Sequence, residues 1–192
     1  MSGALPRTLR LDPSDTLVFT RAAEPGEWAV PGGFCFWDEE PEGMTGQRRQ
    51  EFRAGFLGLG SFGWSTLVEV APCDAAAREA ATAALAAHLR AHHGAPDEAA
   101  ARGAAAEEIN FAASLCEGHP AGTVLALHRS LEGGAQRERF RTLHRADRPR
   151  EWSAAALGTL PVFATVLVEG EEEAPERPDL AAPDPFGAGR RR

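Results

Sequence analysis

Apolar and polar positions change their period several times along this chain, and each change marks an element. Residues 8–11 and 16–20 are short runs of β character on either side of Asp12-Pro13-Ser14-Asp15. Proline presets φ there and the Asp and Ser side chains can satisfy local backbone, so a β-hairpin is expected. After Glu24-Pro25-Gly26 a third strand is expected over 28–37, bent at Pro31-Gly32-Gly33 because proline donates nothing to a ladder. The acidic loop 38–42 then leads to Thr45, placed to cap a helix over 47–54, with Phe52 and Phe56 spaced to share one helical face. Gly55, Gly58, Gly60 and Gly63 end that helix and turn the chain, amid Phe56, Leu57, Leu59, Phe62 and Trp64, into a strand over 64–70.

Further on the pattern is cleaner. Asp74 caps a long helix reaching His93, with Gly94 at its C′ position, and Pro96-Asp97 starts a second helix whose Ala105, Ile109, Ala112 and Cys116 form one apolar stripe. The pair makes an antiparallel helical hairpin. A β-hairpin follows, 124–131 against 136–143, turning at Gly133-Gly134. That register sets Glu132 opposite Ala135, Arg129 opposite Glu138, His128 opposite Arg139 and Leu127 opposite Phe140. Leu125, Leu127, Leu131 and Phe140 mark its core side, and His128, Ser130, Arg137, Arg139 and Arg141 share the other. The apolar run 160–168 reads as a last strand, and the acidic, Pro-rich and Gly-rich composition of 169–192 predicts a disordered tail. The pattern predicts a single α+β domain over 1–168, a mostly antiparallel sheet with the helical hairpin packed on one face.

Composition narrows the function classes. At 192 residues, 43% of them hydrophobic, the chain is long enough for one core and short for two. A net charge of −8 argues against general nucleic-acid binding and makes any basic surface local. All 20 basic residues are arginine and tyrosine is absent, which excludes a P-loop lysine, a Schiff-base lysine and a catalytic tyrosine. Cys35, Cys73 and Cys116 are odd in number and never form C-x-x-C, as expected of reduced thiols. With no signal-like apolar segment and no long apolar run, a cytoplasmic protein without a membrane span is expected.

Four places carry candidate chemistry. Gly58-Leu59-Gly60-Ser61-Phe62-Gly63 matches G-x-G-x-x-G, but a dinucleotide fingerprint follows a strand and opens a helix, whereas this one is expected after a helix and before a strand. A tight turn burying aromatics explains it; the functional reading is a nest of backbone N–H groups, helped by Ser61, Gly63, Ser65 and Thr66 beside Trp28 and Phe34, that holds an anion or cofactor phosphate. His88, His92 and His93 could join Glu108 or Cys116 at a metal, yet they continue a packing stripe and sit at a helix C-terminus, where a capping and packing role is expected. Cys73 lies near a helix N-terminus, with Asp74 opposing its ionisation. The fourth place is the basic face of His128, Arg137, Arg139 and Arg141, suited to carboxylate or phosphate unless an acidic stretch such as 38–42 neutralises it.

Two family resemblances bear on these sites. Trp28 to Glu39, WAVPGGFCFWDE, resembles the opening of a Nudix hydrolase motif, including Gly33 and Glu39 at G-x5-E spacing. Where that family carries paired glutamates for magnesium, this chain has Gln47, Arg48, Arg49, Gln50, Glu51, Phe52 and Arg53, so a multi-carboxylate metal site is not expected and the resemblance is non-catalytic. The run FLGLGSFGWSTLVEV, with the preceding QRRQEF helix and residues 28–36, resembles an uncharacterised bacterial family of small proteins over residues 9–145. That resemblance implies genes beside biotin/lipoate ligase-like and formate dehydrogenase accessory proteins, hence an accessory role, and carries over no activity, cofactor or catalytic residue. The expectation is therefore a non-catalytic accessory or adaptor protein that binds a protein partner or anionic ligand through the arginine face. The alternatives are a small enzyme or cofactor-binding protein with a pocket at 58–66, or a structural subunit of a larger assembly; the sequence leaves the oligomeric state open.

Overall fold

The computed structural model describes residues 3–133 and 135–143. A four-stranded antiparallel sheet is built from β1 (Gly3–Leu9), β5 (Leu67–Cys73), β6 (Val124–Glu132) and β7 (Ala135–Leu143), in the order β1-β5-β6-β7. A smaller antiparallel sheet joins β2 (Ala29–Val30), β3 (Phe56–Gly58) and β4 (Trp64–Ser65). Helices α1 (Asp15–Val18), α2 (Gly46–Ala54), α3 (Ala75–His92) and α4 (Glu98–Ser114) complete the α+β architecture that the patterning predicts. The expected strand at 160–168 and the tail from 169 lie outside the described residues. Among the described residues no helix is long and apolar enough to cross a membrane.

The helical hairpin and the second β-hairpin form as their local signals direct. Asp74 and Asp97 each accept a hydrogen bond from the third residue on, Ala77 N at 2.7 Å and Ala100 N at 2.8 Å, which satisfies donors that a helix start leaves orphaned. Gly94 takes φ +68° just beyond α3, a left-handed conformation open to glycine at no steric cost. Ala105, Ile109, Ala112 and Cys116 are all buried. The β6–β7 register is the expected one, with Arg129 opposite Glu138 and Leu127 opposite Phe140.

The N-terminal half departs from expectation. Residues 16–20 are not a strand: Pro13 and Ser14 start the single helical turn α1, and the Asp15 carboxylate points inward to Thr66 Oγ1 at 2.6 Å. Without that strand there is no first hairpin, and β1 pairs instead with β5, Leu9 against Leu67 and Gly3 against Cys73. The strand expected over 28–37 is reduced to Ala29–Val30, because Gly32 at φ +72° sends the chain into a 3-10 turn, Gly33–Phe36. Helix α2 stops at Ala54 and the chain becomes strand again at once, so Phe56 shares no helical face with Phe52. The two rings belong to different clusters of the core. The strand expected over 64–70 breaks at Thr66 into β4 and β5, which serve different sheets.

The larger cluster gathers Leu5, Val30, Phe36, Phe52, Leu57 and Trp64 with Leu85, Leu89 and Ile109 from the helical hairpin. Phe36 is its pivot, edge-on to Phe52 at 5.4 Å and tilted against Trp64 at 5.2 Å. The second cluster, Ala29, Phe56, Val68, Val70, Cys116, Leu125 and Leu127, fastens the small sheet and the end of α4 to one face of the large sheet. Burying each of the larger side chains contributes roughly 1.5–3 kcal/mol.

Candidate functional site

The glycine stretch is the turn of a β-hairpin between β3 and β4, with Leu57 opposite Trp64. It therefore joins strand to strand, where a helix-to-strand joint was expected. Its backbone N–H groups do form an anion nest, and the chain fills it: Glu27 Oε2 accepts from Gly60 N at 2.9 Å, Ser61 N at 2.9 Å and Ser61 Oγ at 3.1 Å. A Cβ at Gly63 would stand 2.6 Å from the Ala22 carbonyl carbon, so only glycine permits that approach. Phe62 holds φ +53°, the one non-glycine residue with positive φ in the chain's described part, and lays its ring parallel to His88 at 3.8 Å. Ser65 and Thr66 belong to a separate cluster around Asp15, whose carboxylate takes Ser65 Oγ at 3.3 Å and Thr66 N at 3.3 Å. Trp28 lies under the Arg7 guanidinium at 5.6 Å. Ser61 and the pair Ser65–Thr66 thus serve two different internal carboxylates.

The other singled-out residues sort into networks. His88, His92 and His93 lie together, with His88 4.8 Å from His92 and 5.2 Å from His93 between ring centres. Burial first, then the neighbouring His93 and His92, push the His88 imidazole down to about 4, so it is neutral at pH 7. Glu108 and Cys116 do not join them: Glu108 accepts from Gly32 N at 3.1 Å, and Cys116 Sγ turns to the Ala112 carbonyl. Among the described residues no group of three such side chains is arranged to hold a metal ion. In the segment resembling a Nudix opening, Arg48 is the hub, paired with Glu39 and with Glu51 and bonded to the Cys35 carbonyl at 3.0 Å. Burial pushes the Cys35 thiol up to about 12, and it also raises Cys73, helped by Asp74, so both thiols are protonated at neutral pH.

The arginine face stands as the register implied. Arg137, Arg139, Arg141 and His128 are all exposed, on the side of β6–β7 away from Leu125 and Leu127. Arg139 pairs with Glu132 at 3.0 Å; among the described residues Arg137 and Arg141 have no ion-pair partner. Within the acidic stretch 38–42, Glu39 is held by Arg48, and among the described residues no ion pair joins that stretch to Arg137, Arg139 or Arg141. Burial depresses the His128 imidazole first, and the neighbouring Arg53, Arg141 and Arg139 depress it further.

Sequence reasoning missed the most constrained residue of all. Arg129 is 0% exposed on the core side of β6, with Nε donating to Glu138 Oε1 at 2.8 Å, Nη1 to the Phe52 carbonyl at 2.6 Å and Nη2 to the Pro31 carbonyl at 2.7 Å. The signal was available: alternation puts Arg129 between Leu127 and Leu131, in an apolar row, facing the only carboxylate on that side of β7. Beside Glu138, an open cleft of about 430 Å³ is lined by Gly33, Phe34 and Trp37 after the bend, Glu108 of α4, and Gln136, Arg137 and Glu138 of β7. Burial pushes the Glu108 carboxyl up, with Glu138 adding to the shift and the Gly32 N–H opposing it.

Over residues 1–156 the chain matches a family of unknown function, DUF6505, and it belongs to that family. The expected membership of an uncharacterised family is borne out, and the match spans the glycine hairpin, the WAVPGG segment and the β6–β7 pair. No curated protein and no solved structure matches the chain.

Proposed function

We propose that this protein is a non-catalytic accessory or adaptor that docks an acidic, extended segment of a protein partner along β7. The observation that carries the reading is the row Arg137, Arg139 and Arg141, exposed on a chain of net charge −8, with only Arg139 engaged in an ion pair among the described residues. Like charges two residues apart on one strand face repel, a cost that an acidic partner removes. Guanidinium forks hold carboxylates in bidentate geometry and steer their approach. Strand order adds a second support, because β7 is the outer strand of the sheet among the described residues, and the backbone edge of an outer strand suits an added strand. At the glycine hairpin an incoming anion would have to displace Glu27, so the arginine face is the better supported of the two candidate surfaces.

The test is the fluorescence anisotropy of a labelled glutamate-rich decapeptide titrated with the full chain. Replacing Arg137, Arg139 and Arg141 together by glutamine is expected to weaken binding about tenfold, from roughly 0.5 kcal/mol per exposed pair, and parent affinity should fall as salt rises. Unchanged affinity in the triple variant, or binding indifferent to salt, refutes the reading.

A further inference from the structure

The cleft beside Arg129 has the features of a preformed ligand site that the arginine-face reading does not use. Its lip is Trp37, 79% exposed although it is the largest kind of apolar side chain, with Phe34 alongside. An isolated leucine at a surface needs no explanation, whereas a tryptophan left in water at the mouth of a concavity does. Its floor is made of acceptors. Glu108 is anchored through one oxygen by the Gly32 N–H, and Glu138 through one oxygen by Arg129, so each carboxylate has a second oxygen with no hydrogen-bond donor among the described residues. The Arg129 guanidinium behind them is fully buried and committed to Glu138 and two carbonyls, which leaves its single positive charge against two carboxylates.

The floor is also rigid. A Cβ on Gly33 would run into Gln136 Nε2 and come within 2.8 Å of Glu138 Oε1, so glycine leaves both side chains their places beside the bend, and Arg129 fixes that of Glu138. Fixed acceptors cost little ordering when a donor-bearing ligand arrives. Burial already disfavours the Glu108 charge, and an entering cation would relieve that penalty. Arg137, whose row is on the opposite face of β7, also lines the cleft, and its charge offsets part of the negative charge of Glu108 and Glu138.

We infer that this cleft binds a small organic cation, an amine or guanidinium carried on an apolar body, with the cationic nitrogen between Glu108 and Glu138 and the body against Trp37 and Phe34. The nitrogen donates to the two free carboxylate oxygens, and the aromatic faces pack on the apolar body. Glu138 keeps its bond to Arg129 throughout.

Calorimetric titration of the full chain with 2-phenylethylamine, phenylguanidine and the uncharged 2-phenylethanol tests the assignment. The two cations should bind about tenfold or more tightly than the alcohol, the worth of one hydrogen bond to a charged group. Glu108→Gln, whose amide oxygen still accepts from Gly32 N–H, should remove about tenfold of that affinity. Trp37→Ala, at an exposed position that folding does not need, should remove roughly threefold through lost aromatic packing. The triple arginine-to-glutamine variant that tests the docking face should keep the amine affinity or raise it, so the two proposals fail separately. Equal binding of amine and alcohol, binding of neither, or cation affinity unmoved by both Glu108→Gln and Trp37→Ala would overturn the inference.

Discussion

Replacing Arg129 by methionine is the sharpest perturbation this architecture allows. The guanidinium is 0% exposed and ties three elements at once: Glu138 on β7, the Phe52 carbonyl in α2 and the Pro31 carbonyl in the bend after β2. Methionine fills much of the volume but donates nothing. Stranding the partner of a buried ion pair costs roughly 3–5 kcal/mol, and two carbonyls left without donors add to this unless water refills the space. A loss of about 4 kcal/mol is therefore expected, a large part of the roughly 5–15 kcal/mol that keeps a domain folded. Urea denaturation at pH 7, followed by the far-ultraviolet circular dichroism of α3 and α4, measures it. Combining Arg129→Met with Glu138→Leu should recover part of the loss, because no lone carboxylate remains. A single variant within about 1 kcal/mol of the parent, or a double variant no better than the single, would refute the account of Arg129 as the fastening of this fold.

Three further outcomes are expected. Glu27→Ala strips the glycine hairpin of bonds from Gly60 N, Ser61 N and Ser61 Oγ, and should cost about 1–2 kcal/mol in the same urea assay while speeding amide exchange at Gly60 and Ser61. Gly33→Ala forces its new Cβ against Glu138 and Gln136, and since Arg129 pins Glu138 the strain should cost about 1–3 kcal/mol. His88 is depressed from 6.5 to about 4 in the folded state, so its neutral ring supports the fold above about pH 6.5 and that support is lost as pH falls toward 4. The full shift would be about 3 kcal/mol, and a half-exposed ring keeps about 1–2 of it; melting temperatures from pH 7.5 to 4.5 should fall with a slope that His88→Phe flattens.

What the sequence disclosed and what it concealed divide along contact range. The caps at Asp74 and Asp97, the left-handed Gly94 and the β6–β7 register are each set by residues within a few positions of one another, and all were readable. Residues 16–20 carry a strand-like apolar run, yet Asp15 finds Ser65 and Thr66 fifty positions on and holds the segment as a helical turn. With that turn in place β1 is left free to pair with β5, a contact no local pattern encodes. The glycine stretch misled for a related reason, because β3 is only Phe56–Gly58 and a strand so short has no alternation to read. Of the cleft, the sequence singled out Gly33, Phe34, Trp37, Arg137 and the Arg129–Glu138 facing pair but did not join them, and Glu108, considered there only beside the histidines, arrives from α4 through a bond to Gly32 across 76 positions.

A single habit runs through these long-range contacts and gives the exposed arginines their meaning. Where a turn leaves backbone N–H groups converging, the chain brings one of its own carboxylates to them: Glu27 at Gly60 and Ser61, Asp15 at Thr66, Glu51 at Thr20, Glu108 at Gly32. Each such contact replaces a potential external anion by an internal one and fixes a loop that lacks regular hydrogen bonds. Basic side chains near the core are treated alike, with Arg48 shared by Glu39 and Glu51 and Arg129 held by Glu138. The matching is not universal, since Arg10 is held by the Ala23 carbonyl and its buried Nε has no partner among the described residues. Among the described residues the exposed Arg21, Arg49 and Arg53 also lack an ion-pair partner, but Arg137 and Arg141 are set apart by flanking Arg139 on one face of the outer described strand, and an acidic segment from another molecule is the contact that would serve that row.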